Sequence, residues 1–137
     1  MRLLIQRVRE ASVTIGGVCC SRIGAGLLVF VGVGTEDTDE DLEYLAGKLV
    51  RLRIFDDEAG VMNLDLLQTG GEVLVVSQFT LQASTPQRGN RPELHPCGPR
   101  ARLAAALRTL RRAGRRVGRE IRRHGAFRRR HAGGAGQ

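Results

Sequence analysis

The stretch Val75-Val76-Ser77-Gln78-Phe79-Thr80-Leu81 puts two hydroxyls and a carboxamide at the end of an apolar run. Such groups can hydrogen-bond a reacting carbonyl, and a Thr hydroxyl can attack one when a base lies beside it. No base adjoins Thr80 in the sequence. Taken alone, the stretch has a simpler account, a buried strand whose Ser77, Gln78 and Thr80 cap its end by bonding backbone groups.

Three other groups could carry chemistry. The carboxylates of TEDTDED, residues 35–41, could hold a metal or act as acid and base. Nothing else converges on them, so a solvated, well-capped first turn of a helix is the simpler expectation. Cys19 and Cys20 are adjacent, which in a regular strand points them to opposite faces, and Cys97 stands alone near prolines. With no CxxC pair and no regular Cys/His spacing, no metal site is expected, and the thiols read as buried or incidental in a reducing compartment. The last group is a run of arginines, which could neutralise phosphates.

The 137 residues carry a net charge of +8, but the charge is split. Residues 1–92 hold nine Lys and Arg against twelve Asp and Glu, whereas residues 93–137 hold thirteen Arg against two Glu. One domain is expected at this length. No stretch approaches the roughly 20 apolar residues of a membrane span, and the charged, alternating start does not read as a signal peptide. A cytoplasmic protein without cofactor is the expectation.

The elements that must position Ser77–Leu81 are legible up to Pro92. MRLLIQRV, ASVTIGG, VCCSRIG and GLLVFVGV predict four antiparallel strands, with Gly16-Gly17 as a two-residue hairpin turn. Leu42, Leu45, Leu49 and Leu52 fall at helical spacing behind the acidic start. Arg51 to Phe55 reads as a strand entering the turn DDEAG, and EVLVVSQFTL, apolar on both faces, reads as a central strand. The fold class is α+β with strands dominating. Beyond Pro92, Arg, Ala and Gly supply 13, 8 and 7 of the last 45 residues, which leaves little for a core. Leu103, Leu107, Leu110, Val117 and Ile121 fall near the spacing of a basic amphipathic helix, weakened by Gly114 and Gly118.

Together with IQRV…ASVTI, LRIFDDEAGVMN and RGNRP, the SQFTL stretch closely resembles the D-aminoacyl-tRNA deacylases, over essentially all of residues 1–92. The resemblance implies a mainly antiparallel, barrel-like sheet with one or two helices, a homodimer, no metal, and hydrolysis of the ester joining a D-amino acid or glycine to the end of tRNA. It implies that Gln78, Phe79 and Thr80 lie at the chemistry and that Ser77 and Leu81 line the substrate pocket. Backbone N–H groups and the Thr80 hydroxyl would surround the ester carbonyl, and prearranged donors of this kind are each worth around 3 kcal/mol in other acyl-transfer enzymes. An orienting role suits Thr80 better than a nucleophilic one. Arg7 resembles the arginine that braces the family's second motif.

That second motif, an Asn-x-Gly-Pro-x-Thr segment reaching across the dimer, is missing. Gly98-Pro99 lacks its flanking residues and follows RGNRP too soon, so the role is not transferred to it. The chain therefore divides into an incomplete deacylase-like domain, residues 1–92, and an Arg/Ala/Gly-rich segment, residues 93–137, expected to be disordered or a non-native helix. Read one base later with suitable synonymous codons, Glu93–Gly98 becomes Ser-Tyr-Ile-Arg-Ala-Ala, Ala104–Arg111 becomes PPLYERFV, and His124–Gln137 becomes TGRFGADMQVALV, followed by an Asn codon that puts a stop after Gln137 in the written frame. These are family segments in family order, so one extra base near the Pro92 codon is the expected origin of residues 93–137. As written, the chain is expected to leave a sheet edge and an apolar face uncovered, to be poorly soluble and to have little activity. The rival reading is a non-catalytic RNA-binding protein whose Arg-rich arm holds phosphates, although only Phe127 offers a base something to stack on. A third is a structural protein that kept the scaffold without catalysis.

Overall fold

The computed structural model describes residues 1–85, 88–96, 98, 104–106, 108–110 and 126–131, the last group and Phe79 through the backbone. Cys97, Pro99, Leu103, Leu107, Gly114, Val117, Gly118 and Ile121 lie outside the described residues.

The first two expected strands are one. β1 runs from Arg2 to Ile15, its neighbours changing along its length. Residues 2–8 pair with β3 (Gly26–Gly32), and residues 11–15 pair with β2 (Val18–Ile23), both antiparallel. The hairpin joining β1 to β2 turns at Gly16 and Gly17, with φ of 55° and 81°, the left-handed pair that a tight two-residue loop requires. No breaker separates Val8 from Ala11, so nothing local stops the strand; its partners change instead.

β2 carries a bulge. Val13 faces Ser21 and Thr14 faces Cys19, leaving Cys20 as the extra residue. Val13 and Ser21 are buried, whereas Cys19 and Cys20 are both exposed. The slip in alternation turns both thiols outward, which corrects the expectation of opposite faces and, of the two readings buried or incidental, removes the first for this pair.

After β3 the chain crosses over through α1 (Asp39–Arg51), the two-residue strand β4 (Phe55–Asp56), β5 (Met62–Leu64) and the short α2 (Leu66–Thr69) to reach β6 (Glu72–Ser77). α1 starts where the acidic run predicts. Thr38 accepts from the Asp41 N–H and Asp41 accepts from the Thr38 N–H, a reciprocal capping box. Those bonds hold the Asp41 carboxyl below the usual carboxylate range, Thr38's backbone N–H being the main cause. The cap is therefore complete above that range and weakens as acid protonates Asp41. Thr38→Ala should cost about 1 kcal/mol in urea unfolding at neutral pH, and the difference between the two proteins should shrink once the pH falls below 3.8.

The strand expected from Arg51 is mostly helix end and extended chain, with Phe55–Asp56 alone paired, to β5. Asp57 closes the turn by accepting from the N–H groups of Ala59 and Val61, and these bonds, Val61's first, hold its carboxyl low.

β6 lies parallel to β3, from Gly26 opposite Glu72 to Val31 opposite Ser77. It ends the strand order β2-β1-β3-β6 rather than sitting centrally, yet Val73, Leu74 and Val75 are all buried. The reason is curvature: the sheet curls until β2 approaches β6, so both faces of β6 are covered. Alternation along β3 and β6 then builds two cores. Leu27, Val29, Val31, Val73 and Val75 meet Leu42, Ala46 and Leu49 of α1, while Leu28 and Leu74 meet Val8, Ala11, Val13 and Ile23 inside the curl.

Residues 104–106 and 108–110 are helical, and Ala106 and Leu110, four apart and so on one face, are buried in the first core. β9 (Ala126–His131) pairs antiparallel with β1 from Val8 to Thr14. At these positions the expected uncovered face and edge are not found, because a small apolar helical face and any backbone with free N–H and C=O groups suffice to cover them. Among the described residues no helix is long and apolar enough to cross a membrane.

Candidate functional site

The expected strand over EVLVVSQFTL stops at Ser77, and the motif turns. The Gln78 N–H completes the ladder by donating to the Val31 carbonyl at 2.8 Å. A 3₁₀ turn, Phe79–Gln82, then folds back over the ends of β3 and β1. Arg2 of β1 donates to the Leu81 carbonyl at 2.7 Å, and the Gln82 carboxamide donates to the Gly32 carbonyl at 3.1 Å. The turn crosses so closely over Gly32 that a Cβ there would lie 2.8 Å from Leu81 Cβ and 3.2 Å from the Gln78 carbonyl. Gly32 is thus the residue that lets the motif lie on the sheet, and Arg2 the one that ties it down. Neither announces itself in the sequence, since an Arg at the chain start and a Gly at a strand end are common surface features.

The first N–H groups of such a turn have no acceptor inside it. No hydrogen bond among the described residues takes up those of Phe79 and Thr80. Thr80 is exposed, and its hydroxyl oxygen accepts from the Gln78 carboxamide, which leaves its proton to be donated outward. Ser77 at the end of β6 and Leu81 within the turn are half-buried. The arrangement offers two adjacent backbone donors and one oriented hydroxyl on a rigid strand end, which is what a carbonyl oxygen gaining negative charge requires.

Arg7 is elsewhere. It pairs with Leu27, four residues along β3 from Val31 and so roughly 13 Å from the level of Ser77. Its guanidinium donates to the Ile54 carbonyl at 2.9 Å and meets Asp56 at 3.4 Å. Within one chain it therefore braces the entry to β4, and no described residue links it to the turn.

The hairpin of β7 (Ala83–Ser84) and β8 (Glu93–Leu94) follows the turn directly. Ser84 Oγ and His95 Nε2 are 2.8 Å apart, a contact that the residue spacing did not suggest. A Ser–His contact is the pairing of nucleophile and base, but both residues are exposed and no described residue is bonded to the other ring nitrogen to orient it. A concavity of about 290 Å³ lies between the first turn of α1 and residues 105–109, lined by Asp39, Glu43 and Arg108 among others, and shares no residue with the turn. No group of three or more His, Cys, Asp or Glu converges among the described residues. Of the TEDTDED carboxylates, Asp39, Glu40 and Asp41 lie in the first turn and Asp41 completes the cap, as the simpler account expects, whereas Asp37 accepts from the Gly34 N–H and pairs with the N-terminal ammonium of Met1.

A curled sheet with helices on one face, carrying a tight donor-bearing turn at the end of a parallel strand pair, defines the class to which the molecule belongs. The particular family is the D-Tyr-tRNA(Tyr) deacylases, to which this chain belongs: their family model matches residues 4–132. The D-aminoacyl-tRNA deacylase of Bacteroides thetaiotaomicron is 59% identical over 92 residues, and that of Bacillus velezensis 60% identical over 92 residues. Each alignment covers 67% of this chain and 61% or 62% of the relative, so the chain spans about three fifths of the curated relatives it matches. Among solved structures, one titled c-Myc DNA Unwinding Element Binding Protein superposes with a TM-score of 0.80 at 33% identity, covering 95% of this chain and 90% of the other. A probable eukaryotic D-amino acid tRNA deacylase shares the fold, with a TM-score of 0.73 at 17% identity over 96% of this chain and 94% of the other.

Proposed function

We propose that the Gln78–Gln82 turn is the ester-hydrolysing site of a D-aminoacyl-tRNA deacylase acting in the cytoplasm as a homodimer and without metal, releasing free tRNA and the D-amino acid. The observation that carries this reading is the pair of N–H groups at Phe79 and Thr80 that no described residue takes up, beside the oriented Thr80 hydroxyl. They would hold the carbonyl oxygen of the ester while water attacks the carbonyl carbon; charge gathers on that carbonyl oxygen, the bond to the ribose oxygen breaks, and the ribose oxygen leaves with a proton from the attacking water. Thr80 would orient, Gln78 would hold Thr80, Phe79 would act through its backbone, and Ser77 and Leu81 would shape the floor.

Residues 93–137 are in this reading the out-of-frame product of the family's C-terminal segment, which is why identity to the curated relatives runs over only 92 residues. The chain as written lacks the second wall of the pocket and should turn over slowly. Sequencing the coding DNA across codons 88–95 tests the origin, and codons incompatible with the shifted reading would sink it.

The activity is tested by hydrolysis of D-tyrosyl-tRNA against L-tyrosyl-tRNA, using the chain restored to the shifted frame. Hydrolysis of the D-ester alone is expected; equal hydrolysis of both, or of neither, refutes the assignment. In that chain Thr80→Ala should slow turnover roughly tenfold, the worth of one neutral hydrogen bond of about 1 kcal/mol or slightly more, and Thr80→Ser should restore most of it. Gly32→Ala must displace the turn, because the added Cβ would lie 2.8 Å from Leu81 Cβ, and a misplacement approaching 1 Å costs on the order of 10²-fold. A loss of turnover of roughly tenfold or more is expected, together with a destabilisation of about 1–3 kcal/mol from overpacking, and an unaltered rate would show that the turn is not where the ester sits.

The Arg-rich segment supports a second reading, a non-catalytic RNA-binding protein, through its thirteen arginines. That reading requires tight, salt-sensitive tRNA binding that disappears when residues 93–137 are deleted.

A further inference from the structure

We propose that Cys19 and Cys20 form an outward-facing dithiol on the bulged strand β2 that captures trivalent arsenicals and chemically similar thiophilic centres. Two thiols in successive strand positions are normally kept apart by the sheet between them. Here the register forbids that. Val13 and Thr14, on opposite faces of β1, face Ser21 and Cys19, so Ser21 and Cys19 are also on opposite faces although they are two apart. Burial fixes which face is which: Val13, Ser21 and Ile23 are inside the curl, and Cys19, Cys20 and Arg22 are outside. Both thiols therefore leave the same side of the strand.

Both are free and exposed, and among the described residues each is engaged only by a weak contact to its own strand, Cys19 Sγ to the Ser21 carbonyl at 3.6 Å and Cys20 Sγ to the Val18 carbonyl at 3.5 Å. An internal disulfide is a poor product for this pair, because adjacent Cα atoms across a trans peptide are about 3.8 Å apart and disulfides usually span roughly 4.4–6.8 Å. Inserting one large atom between the sulfurs relieves that constraint, and soft thiolates select soft centres that need few ligands. With an organoarsenic(III) oxide the step is a condensation. Two As–S bonds form, the As–O double bond breaks, and the oxygen leaves as water with the two thiol protons; nothing is oxidised or reduced. The dithiol lies at the Thr14 end of β1, and the Gln78 turn lies over its Arg2 end, so the two sites are independent.

The test uses the full chain carrying Cys97→Ser, so that Cys19 and Cys20 are its only thiols, with phenylarsine oxide as the probe. Mass spectrometry should find one arsenical per chain, with both thiols lost to thiol reagents together. The adduct should survive excess monothiol and be removed by 2,3-dimercaptopropanol. Adding Cys19→Ser or Cys20→Ser should weaken retention about a hundredfold or more, since the second bond is then no longer intramolecular. Two arsenicals per chain, or equal retention by the single-thiol variants, would overturn the proposal.

Discussion

The chain restored to the shifted frame beyond Pro92 should release D-tyrosine from D-tyrosyl-tRNA at least about a hundredfold faster than the 137-residue chain does. The turn at Phe79–Gln82 supplies donors from one side only, and Thr80 is open to water among the described residues. Hydrogen bonds to a developing oxyanion are strong in a dry, closed site and weak in water, and a substrate held from one side is not held in its reactive geometry. Misplacement by about 1 Å alone costs on the order of 10²-fold, and missing closure adds to it. Single-turnover release of labelled D-tyrosine, with both proteins at saturating concentration, checks the expectation. Equal rates would mean that residues 93–137 as written complete the pocket, and that the frame has no bearing on function.

Gly26→Ala should destabilise the fold by about 3 kcal/mol or more, the upper range for overpacking together with a broken ladder bond. A Cβ at Gly26 would lie 1.8 Å from the Glu72 carbonyl oxygen and 2.6 Å from the Glu72 nitrogen. Both are backbone atoms, so no rotamer change relieves the contact, and β3 and β6 must separate. The damage falls where the parallel pair begins, at the bond from the Glu72 N–H to the Ala25 carbonyl and the bond from the Gly24 N–H to the Glu72 carboxylate. Gly24→Ala is the internal control. Its Cβ meets nothing within 4 Å, so it should stay within about 0.5 kcal/mol of the parent. Urea unfolding of the three proteins measures the difference, and equal costs at the two glycines would contradict the close approach.

What could be read in advance follows from how local each signal is. The β1–β2 turn and the start of α1 were legible because Gly16-Gly17 and the Thr38–Asp41 box act within four residues. The merging of the first two strands was not, since it depends on β3 pairing the first half of one strand while β2 and β9 both pair its second half. Continuous apolarity in β6 correctly signalled burial on both faces. It could not say whether neighbours or curvature provide it. Nor could alternation foresee the bulge at Cys20, which changes the chemistry of two thiols by changing a register. Residues Ser77–Leu81 were found by resemblance, but the backbone donors proposed to hold the ester are presented by a turn that Gly32 permits from another strand. The level of Arg7 on the sheet, opposite Leu27 and so at the level of Val73, was not legible either, because it is set by the pairing of three strands.

Ester hydrolysis at this turn requires that the substrate carbonyl meet the Phe79 and Thr80 N–H groups. The direct measurement is amide NMR of the frame-restored chain titrated with D-tyrosine joined through an amide to 3′-amino-3′-deoxyadenosine, a mimic that cannot be hydrolysed. The largest shifts and new exchange protection are expected at the amides of Phe79 and Thr80, with the L-isomer leaving both unchanged. Binding that leaves those two amides unperturbed, or that perturbs them equally with either hand, would contradict the assignment of this turn as the site.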